Sequence, residues 1–477
     1  MVTTELNYLS ATESLRLFRS REVSPVEVMK AIIVRSEQVE PKIRAFSETF
    51  FDEALAAARK AEAVYRRDGS RPRALEGITV AIKEVTPVKG QRTTNGSLVY
   101  RSAPLEKQSA PLVERLLRAG AIIHARTTSP EFTCVPFTHS RLWGITRNPW
   151  NLNYSPGGST GGGAAALASG MSTLANGTDI GGSIRMPAAF CGVVGLKPSY
   201  GRVPAFPPFN LDHYSHEGPL ARTVADCALF ENVISGPHRS DAATVRPKLR
   251  IPQPFEGIKG WRIGVSVDLD CYAVDSDVTA CTMAAAEALR QAGAEVEEVK
   301  LGWALNELVD AARIHYGAIF GPYVQREVEA HRELMTDYAI DFAQRCAEVR
   351  REDIVEGLEK EARIQAGLAG VLASHQALIC PALSAQGFIA GDDYIDHGPT
   401  VNGNEIPSIL QTMMTVPFNI CSRNPVITVP AGISGSRVPV GLQIVGRTFD
   451  DPSVFRVAAA LEQVRPWADL RPEFVPA

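Results

Sequence analysis

Residues 155–203 read SPGGSTGGGAAALASGMSTLANGTDIGGSIRMPAAFCGVVGLKPSYGRV. The passage holds two glycine-flanked serines: Ser159 in Gly157-Gly158-Ser159-Thr160-Gly161-Gly162-Gly163, and Ser183 in Gly181-Gly182-Ser183-Ile184-Arg185. Glycine opens backbone conformations closed to other residues and lets a second group approach closely. Gly/Ser clusters are ordinarily connectors. A connector has no use for the small-residue helix Ala164–Ala168, nor for Ile180, Ile184 and Met186 set among the glycines. The two serines therefore read as two walls of one site.

Upstream, Gly77-Ile78-Thr79-Val80-Ala81-Ile82-Lys83 alternates as a strand, with Ile78, Val80 and Ile82 on one face and Lys83 on the other beside Ala81. A short helix, Pro111–Arg118, ends at Gly120 and runs into the apolar strand Ala121–Ala125. Strand, helix, strand is the α/β rhythm. Downstream, Thr223–Ile234 reads as a helix capped by Thr223 and Asp226, and a proline-rich connector covers Arg246–Gly260. The rhythm then restarts with strand Arg262–Val267, helix Val278–Ala292 and strand Ala294–Val299. Strand character returns at Ala377–Cys380, Val426–Val429 and Val440–Val445; Gly391–Asn404 reads as a polar loop and Pro452–Val464 as a last helix.

Two regions read as helical layers. Residues 1–70 carry the capping-box pairs Ser10/Glu13 and Ser24/Glu27, the second with Pro25 at the first helical position, and form an N-terminal cover. Residues 303–374 are charged and poor in glycine, and read as a helical insertion or cap. The expectation is one α/β domain over residues 1–477.

Composition removes several classes of function. Hydrophobic residues at 45% and charged residues at 21% describe an ordinary globular chain. A net charge of −4 gives no reason to expect nucleic acid or an anionic membrane as partner. The amino terminus lacks a signal peptide's basic start and apolar core, and no run of eighteen apolar residues is present, so a cytoplasmic location is expected. Eight scattered cysteines without CxxC spacing read as reduced thiols, and nine histidines form no HExxH or zinc-spaced cluster. Neither metal nor cofactor is implied.

The chemistry follows from what a serine lacks. Alone it is a poor nucleophile and needs a base within hydrogen-bond reach. His213 and His216 sit in no motif that marks them as that base. The other choice is a lysine kept neutral by burial, since catalytic lysines are tuned to roughly 7–8. Lys83, at the end of an apolar strand and followed by a turn at Pro87 and Gly90, is the candidate. The backbone of Thr178-Asp179-Ile180-Gly181-Gly182-Ser183, leading into a segment able to start a helix, can form a nest for an oxyanion.

GITVAIKE around Lys83, SPGGSTGGGAAALASG, and GTDIGGSIRMPAAFCGVVGLKPSYGRV together resemble the amidase signature family. The likeness extends through SPVEVMKAII, GPLARTVAD, FNICSRNPVITVPAG and PVGLQIVGRTFDD. It implies an α/β fold with a large mixed, mostly parallel β-sheet flanked on both faces by helices, and hydrolysis by a Ser-cisSer-Lys triad. Ser183 would be the nucleophile, Ser159, after a cis Gly158-Ser159 peptide, the bridge, and Lys83 the base. The N–H groups of Ile180, Gly181, Gly182 and Ser183 would form the oxyanion hole. Asp179 and Arg185 would hold the nucleophile loop, with Thr160 supporting the relay. Glu84, Thr128, Thr160 and Gly163 depart from the family's commonest residues.

The function implied is hydrolysis of a small-molecule amide through a seryl acyl-enzyme, with a homodimer left open as the assembly. Phe132–Trp143, Phe206–Tyr214, Ile314–Tyr323 and the loop before Asn419 are rich in aromatic and apolar residues, which points to an apolar or aromatic amide. Three alternatives remain. Gly157–Gly161 also matches the GxSxG elbow of α/β-hydrolases, although Asn148–Asn153 is no hydrophobic strand leading into it. The ammonia-delivering glutaminase component of tRNA-dependent glutamine amidotransferases belongs to the same family, although Arg313–Tyr323 does not resemble its glutamine-binding stretch. A nucleotide-binding module lacks the P-loop ending GK[ST].

Overall fold

The computed structural model describes residues 5–474. Residues 1–4 of the expected N-terminal cover, and 475–477, lie outside the described residues. Eleven strands form one mixed sheet, in the order Phe46–Thr49, Ile122–Thr127, Thr79–Lys83, Leu174–Asp179, His216–Ala221, Val194–Lys197, Val426–Ile433, Pro439–Gly446, Ala377–Pro381, Arg262–Val265 and Glu295–Glu298. Parallel pairing joins Ile122–Thr127, Thr79–Lys83 and Leu174–Asp179 on one flank, and Ala377–Pro381, Arg262–Val265 and Glu295–Glu298 on the other. These are the two stretches where strand-helix-strand rhythm is visible in the sequence.

The sheet is mixed as expected, but its balance differs from "mostly parallel". Six of the ten neighbour pairs are antiparallel, five of them in an unbroken run through the centre. Two of the central strands, Leu174–Asp179 (LANGTD) and Val194–Lys197 (VGLK), lie inside the glycine-rich passage, and a third, His216–Ala221 (HEGPLA), follows it. Their glycines, proline and polar residues have low strand propensity, and burial on both faces removes the alternation that reveals a strand. They hold because neighbours on both sides complete their hydrogen bonds. In the loop 391–404, Thr400–Val401 pairs with Asn404–Glu405 through a turn at Asn402 and Gly403, both at positive φ.

Helices pack on both faces. Ile78, Val80 and Ile82 join the core formed with the Pro111–Arg118, Val224–Ile234, Ser276–Gln291 and Asp451–Val464 helices. Ala81 faces the other way, against Ala164–Ala168, Ile184 and Ala188. The alternation that separates Val80 from Ala81 also directs Lys83 to the face carrying the two serines. There the Gly161–Ala168 helix is buried along its whole length, and its seven glycines and alanines, with Leu167 the one larger residue, let it lie close to the sheet. On the same face, Leu308, Ile364 and Leu368 pack on Leu378, Val426 and Val445.

Local signals fix the outer helices. Ser24 and Glu27 make the full reciprocal capping box, with Pro25 opening the helix Pro25–Ile43. At Ser10 only half of the box forms, because the Glu13 carboxylate turns to Arg16 at 2.8 Å. Thr223 caps Val224–Ile234 by accepting from the Asp226 N–H, and the Asp226 carboxylate in turn accepts from the backbone N–H groups of Ala11 and Thr12. That contact ties the N-terminal helices to the sheet layer. All eight cysteines are free thiols. Among the described residues, no helix is long and apolar enough to cross a membrane.

Candidate active site

Lys83 ends its strand fully buried. Its Nζ donates to Ser159 Oγ at 2.7 Å, Thr178 Oγ1 at 2.8 Å and Thr160 Oγ1 at 3.1 Å. All three partners are hydroxyls. Burial pushes the lysine down to about 7, against the opposing pull of the Glu217, Glu84 and Asp179 carboxylates. Glu217 is itself buried, with Oε2 unpartnered among the described residues, and burial raises its carboxyl to about 8, partly offset by Lys83.

The two serine loops meet directly. The peptide Gly158–Ser159 is cis, at the position the sequence resemblance implies. A Cβ at residue 158 would overlap the Phe137 carbonyl oxygen and lie 2.6 Å from the Phe137 nitrogen, so this loop requires glycine there. Thr138 Oγ1 donates to the Gly157 carbonyl at 2.7 Å, and the Thr160 N–H donates to the Ser183 carbonyl at 3.1 Å. Among the described residues no direct hydrogen bond joins Ser159 Oγ to Ser183 Oγ. Catalytic hydrogen bonds commonly tighten only when substrate is bound.

Asp179 and Arg185 lie beneath Ser183, both side chains fully buried. Arg185 Nη2 and Nε reach the two Asp179 carboxylate oxygens at 2.9 and 3.0 Å. Its remaining donors go to the Thr415 carbonyl at 2.8 Å, Gln443 Oε1 at 2.8 Å and Asn419 Oδ1 at 2.6 Å. Burial alone would raise the Asp179 carboxyl. The Arg185 charge and hydrogen bonds from Arg185 and Asn419 overcome it and hold the group below the usual carboxylate range.

Asp179 also accepts from the Gly182 N–H at 2.9 Å and the Ile184 N–H at 3.2 Å. This alters the expected set of four oxyanion donors, since the Gly182 N–H is already engaged. The N–H groups of Ile180, Gly181 and Ser183 have no partner among the described residues. Thr415 Oγ1 donates to the Gly181 carbonyl at 2.6 Å and Tyr316 Oη to the Ile180 carbonyl at 3.1 Å. With the carbonyls anchored outward, the three N–H groups are free for a ligand oxygen.

The histidines stand apart from this chemistry. His216 is buried, its two ring nitrogens facing the Tyr214 and Ser422 carbonyls, and burial with the nearby Lys197 pushes it down to about 3. Of the departures from the family's usual residues, Glu84 accepts from Ser129 Oγ at 2.6 Å, Thr94 Oγ1 and Trp143 Nε1 at 3.3 Å. Thr128 bonds Thr146 Oγ1 at 2.7 Å. Each is satisfied within the fold.

Ser183, 5% exposed, opens into a cavity of about 360 Å³. Its walls include Phe137, Met186, Tyr316, Phe320, Tyr338, Phe342 and Met413. The expected segments 132–143 and 314–323 contribute, as does the loop before Asn419 through Met413; Tyr338 and Phe342 come from a stretch that carries no such signal in the sequence. Phe206 and Phe209 line a second cavity of about 670 Å³, which shares Thr133, Ile180 and Phe320 with the first and reaches Thr178 and Glu217. A more open groove of about 710 Å³ beside Arg141, Arg332 and Gln344 contains none of these groups. Sequence reasoning misses Thr178 and Glu217. Thr178 lies near the end of the strand paired beside that of Lys83, and Glu217, its cross-strand partner, lies on a strand with no visible strand signal.

The family described as Amidase matches residues 27–455. An acylamidase of Rhodococcus erythropolis is 32% identical over 99% of this chain and 98% of its own length. A relative from Chloroflexus aggregans, named as a component of glutamyl-tRNA(Gln) amidotransferase, is 33% identical over 99% of this chain and all of its own. A crystal structure of a bacterial aryl acylamidase of the amidase signature enzymes superposes with a TM-score of 0.89 at 29% identity, covering 97% of each chain. The chain belongs to the amidase signature family and is a hydrolase of amide carbon–nitrogen bonds.

Proposed function

We propose that the protein hydrolyses small apolar or aromatic amides by a seryl acyl-enzyme route. Neutral Lys83 takes a proton from Ser159 Oγ, which takes one from Ser183 Oγ as that oxygen attacks the amide carbonyl carbon. The oxyanion rests on the N–H groups of Ile180, Gly181 and Ser183. The relay then protonates the departing nitrogen as the C–N bond breaks, leaving an ester on Ser183. Water adds to that ester with Lys83 again as base, releasing the carboxylic acid and restoring Ser183.

The observation that carries this reading is the 2.7 Å contact of a fully buried, hydroxyl-bound Lys83 with Ser159. The aromatic walls of the Ser183 cavity support the substrate class, and the acylamidase relatives agree with it. We take the chain to act as one unit, with the helices of residues 303–374 as a cap over the cavity. Their Tyr316, Phe320 and Phe342 line it.

A fluorophosphonate should add to Ser183 alone, located by peptide mass, and block turnover of aryl acylamides by the purified chain. Labelling elsewhere, or turnover untouched by labelling, would overturn the assignment. Ammonia release from glutamine only in the presence of a co-purifying partner would favour the amidotransferase alternative, which the Chloroflexus aggregans relative keeps in view.

A further inference from the structure

Asp212, His213 and His315 converge behind the nucleophile loop, outside both cavities, with one donor atom from each within 4.8 Å of the others. His315 Nε2 lies 2.8 Å from Asp212 Oδ1, which also accepts the Tyr214 N–H at 3.0 Å. Among the described residues Asp212 Oδ2 has no partner, although its side chain is only 2% exposed. A buried carboxylate oxygen without a donor is costly and calls for an explanation.

Glu361 faces the other nitrogen of each imidazole at ion-pair range. Its Oε1 lies 3.7 Å from His315 Nδ1 and its Oε2 lies 3.5 Å from His213 Nε2. It is fixed in turn by Tyr214 Oη, which donates to Oε1 at 2.7 Å, and Tyr214 stacks on His315 with ring centroids 3.5 Å apart. Carboxylates that hold metal-bound imidazoles in this way set the tautomer and ring orientation. His213 is 35% exposed and so leaves a route for an ion to enter.

We propose that Asp212, His213 and His315 form a binding site for a divalent transition-metal ion of the zinc type, with Glu361 orienting both imidazoles. Two imidazoles and one carboxylate suit zinc, with a water completing four-coordination. Zinc bonds to such donors run about 2.0–2.2 Å. The unpartnered Asp212 oxygen gains a ligand, and the ion joins the 209–214 loop to the Leu305–Ile319 helix. This site is separate from the serine-lysine chemistry and takes no step in it.

The test is a cobalt titration of the chelator-treated, untagged chain. The expected result is one equivalent bound, with the visible absorption bands of four-coordinate cobalt, displaced by zinc. Those bands should be absent in Asp212→Asn and in His213→Ala, and Glu361→Gln should weaken binding about 10- to 100-fold. Circular dichroism establishes that each variant is folded. His213→Ala removes a partly exposed side chain, so it decides the matter if Asp212→Asn fails to fold. Absence of the bands in the wild type, or full binding retained in His213→Ala, would overturn the proposal.

Discussion

Lys83 Nζ lies 2.7 Å from Ser159 Oγ, and among the described residues no carboxylate oxygen forms an ion pair with it. A protonated lysine buried among three hydroxyls has lost its water without gaining a counter-ion, so the neutral amine is favoured. That makes it a base at ordinary pH. The other fully buried lysine, Lys197, is also pushed down to about 7 by burial and by Arg185, but its Nζ is directed at the Pro198, Ser422 and Asn424 carbonyls and at His216. It has the basicity without a hydroxyl to deprotonate.

The pH profile follows from these contacts. Below about 7 Lys83 is protonated and cannot accept a proton, so kcat/KM should fall tenfold per unit as pH drops, and level off above 7. The Glu217 carboxylate raises the lysine, so Glu217→Gln should move this limb to lower pH while leaving the plateau standing. Stopped-assay rates against an aryl acylamide from pH 5 to 9 (roughly the range that brackets the lysine) read both effects. A limb unmoved in Glu217→Gln would remove Glu217 from the account.

The two serines should separate by degree. Ser183→Ala removes the attacking atom, and losses on the order of 10⁴ or more in kcat are expected, together with complete loss of fluorophosphonate labelling. Ser159→Ala removes the proton path while leaving the nucleophile, so kcat should fall by about 10²–10⁴ and slow labelling of Ser183 should persist. Equal labelling rates in wild type and Ser159→Ala would mean that Ser159 carries no proton.

Asp179→Asn should be the most destabilising change in the nucleophile loop. It leaves the Arg185 charge fully buried and uncompensated, at a cost of about 3–5 kcal/mol. The pH sign is fixed by the depressed carboxyl. In the folded chain Asp179 stays ionised to lower pH than in the unfolded chain, so its contribution is complete above the ordinary Asp value and declines as pH falls below it. Wild type should therefore lose stability more steeply than Asp179→Asn in acid, measured by thermal unfolding from pH 6 down to about 3.

The legible parts of this site share a physical reason. Lys83 is readable because a β-strand alternates strictly: once Ile78, Val80 and Ile82 belong to one core, residue 83 must face the other. The serines are readable because glycines mark where backbone packs on backbone, as Gly158 does against Phe137. The central antiparallel strands are not, since LANGTD and HEGPLA are held by neighbours rather than by their own propensity. For the same reason Glu217, on one of those strands, stays hidden. The occupied Gly182 N–H is invisible for a different reason, because it depends on where the Asp179 carboxylate settles after pairing with Arg185. Partner choice among several donors is a property of the packed state.

Substrate preference should respond to the cap more than to the serine loops. Phe342 is half-buried in the cavity wall, its ring 5.5 Å from that of Phe320 in a T-shaped arrangement. Truncation to alanine takes away a face on which an aryl group can pack, yet touches neither Lys83 nor the free N–H groups. Phe342→Ala should therefore lower kcat/KM for an aryl acylamide by about 10-fold, largely through KM, with little effect on a short aliphatic amide. Steady-state rates on such a pair of substrates give the discrimination directly. Equal losses on both would place Phe342 in shaping the cavity wall rather than in contacting the substrate, and the aromatic-amide reading would lose its strongest support.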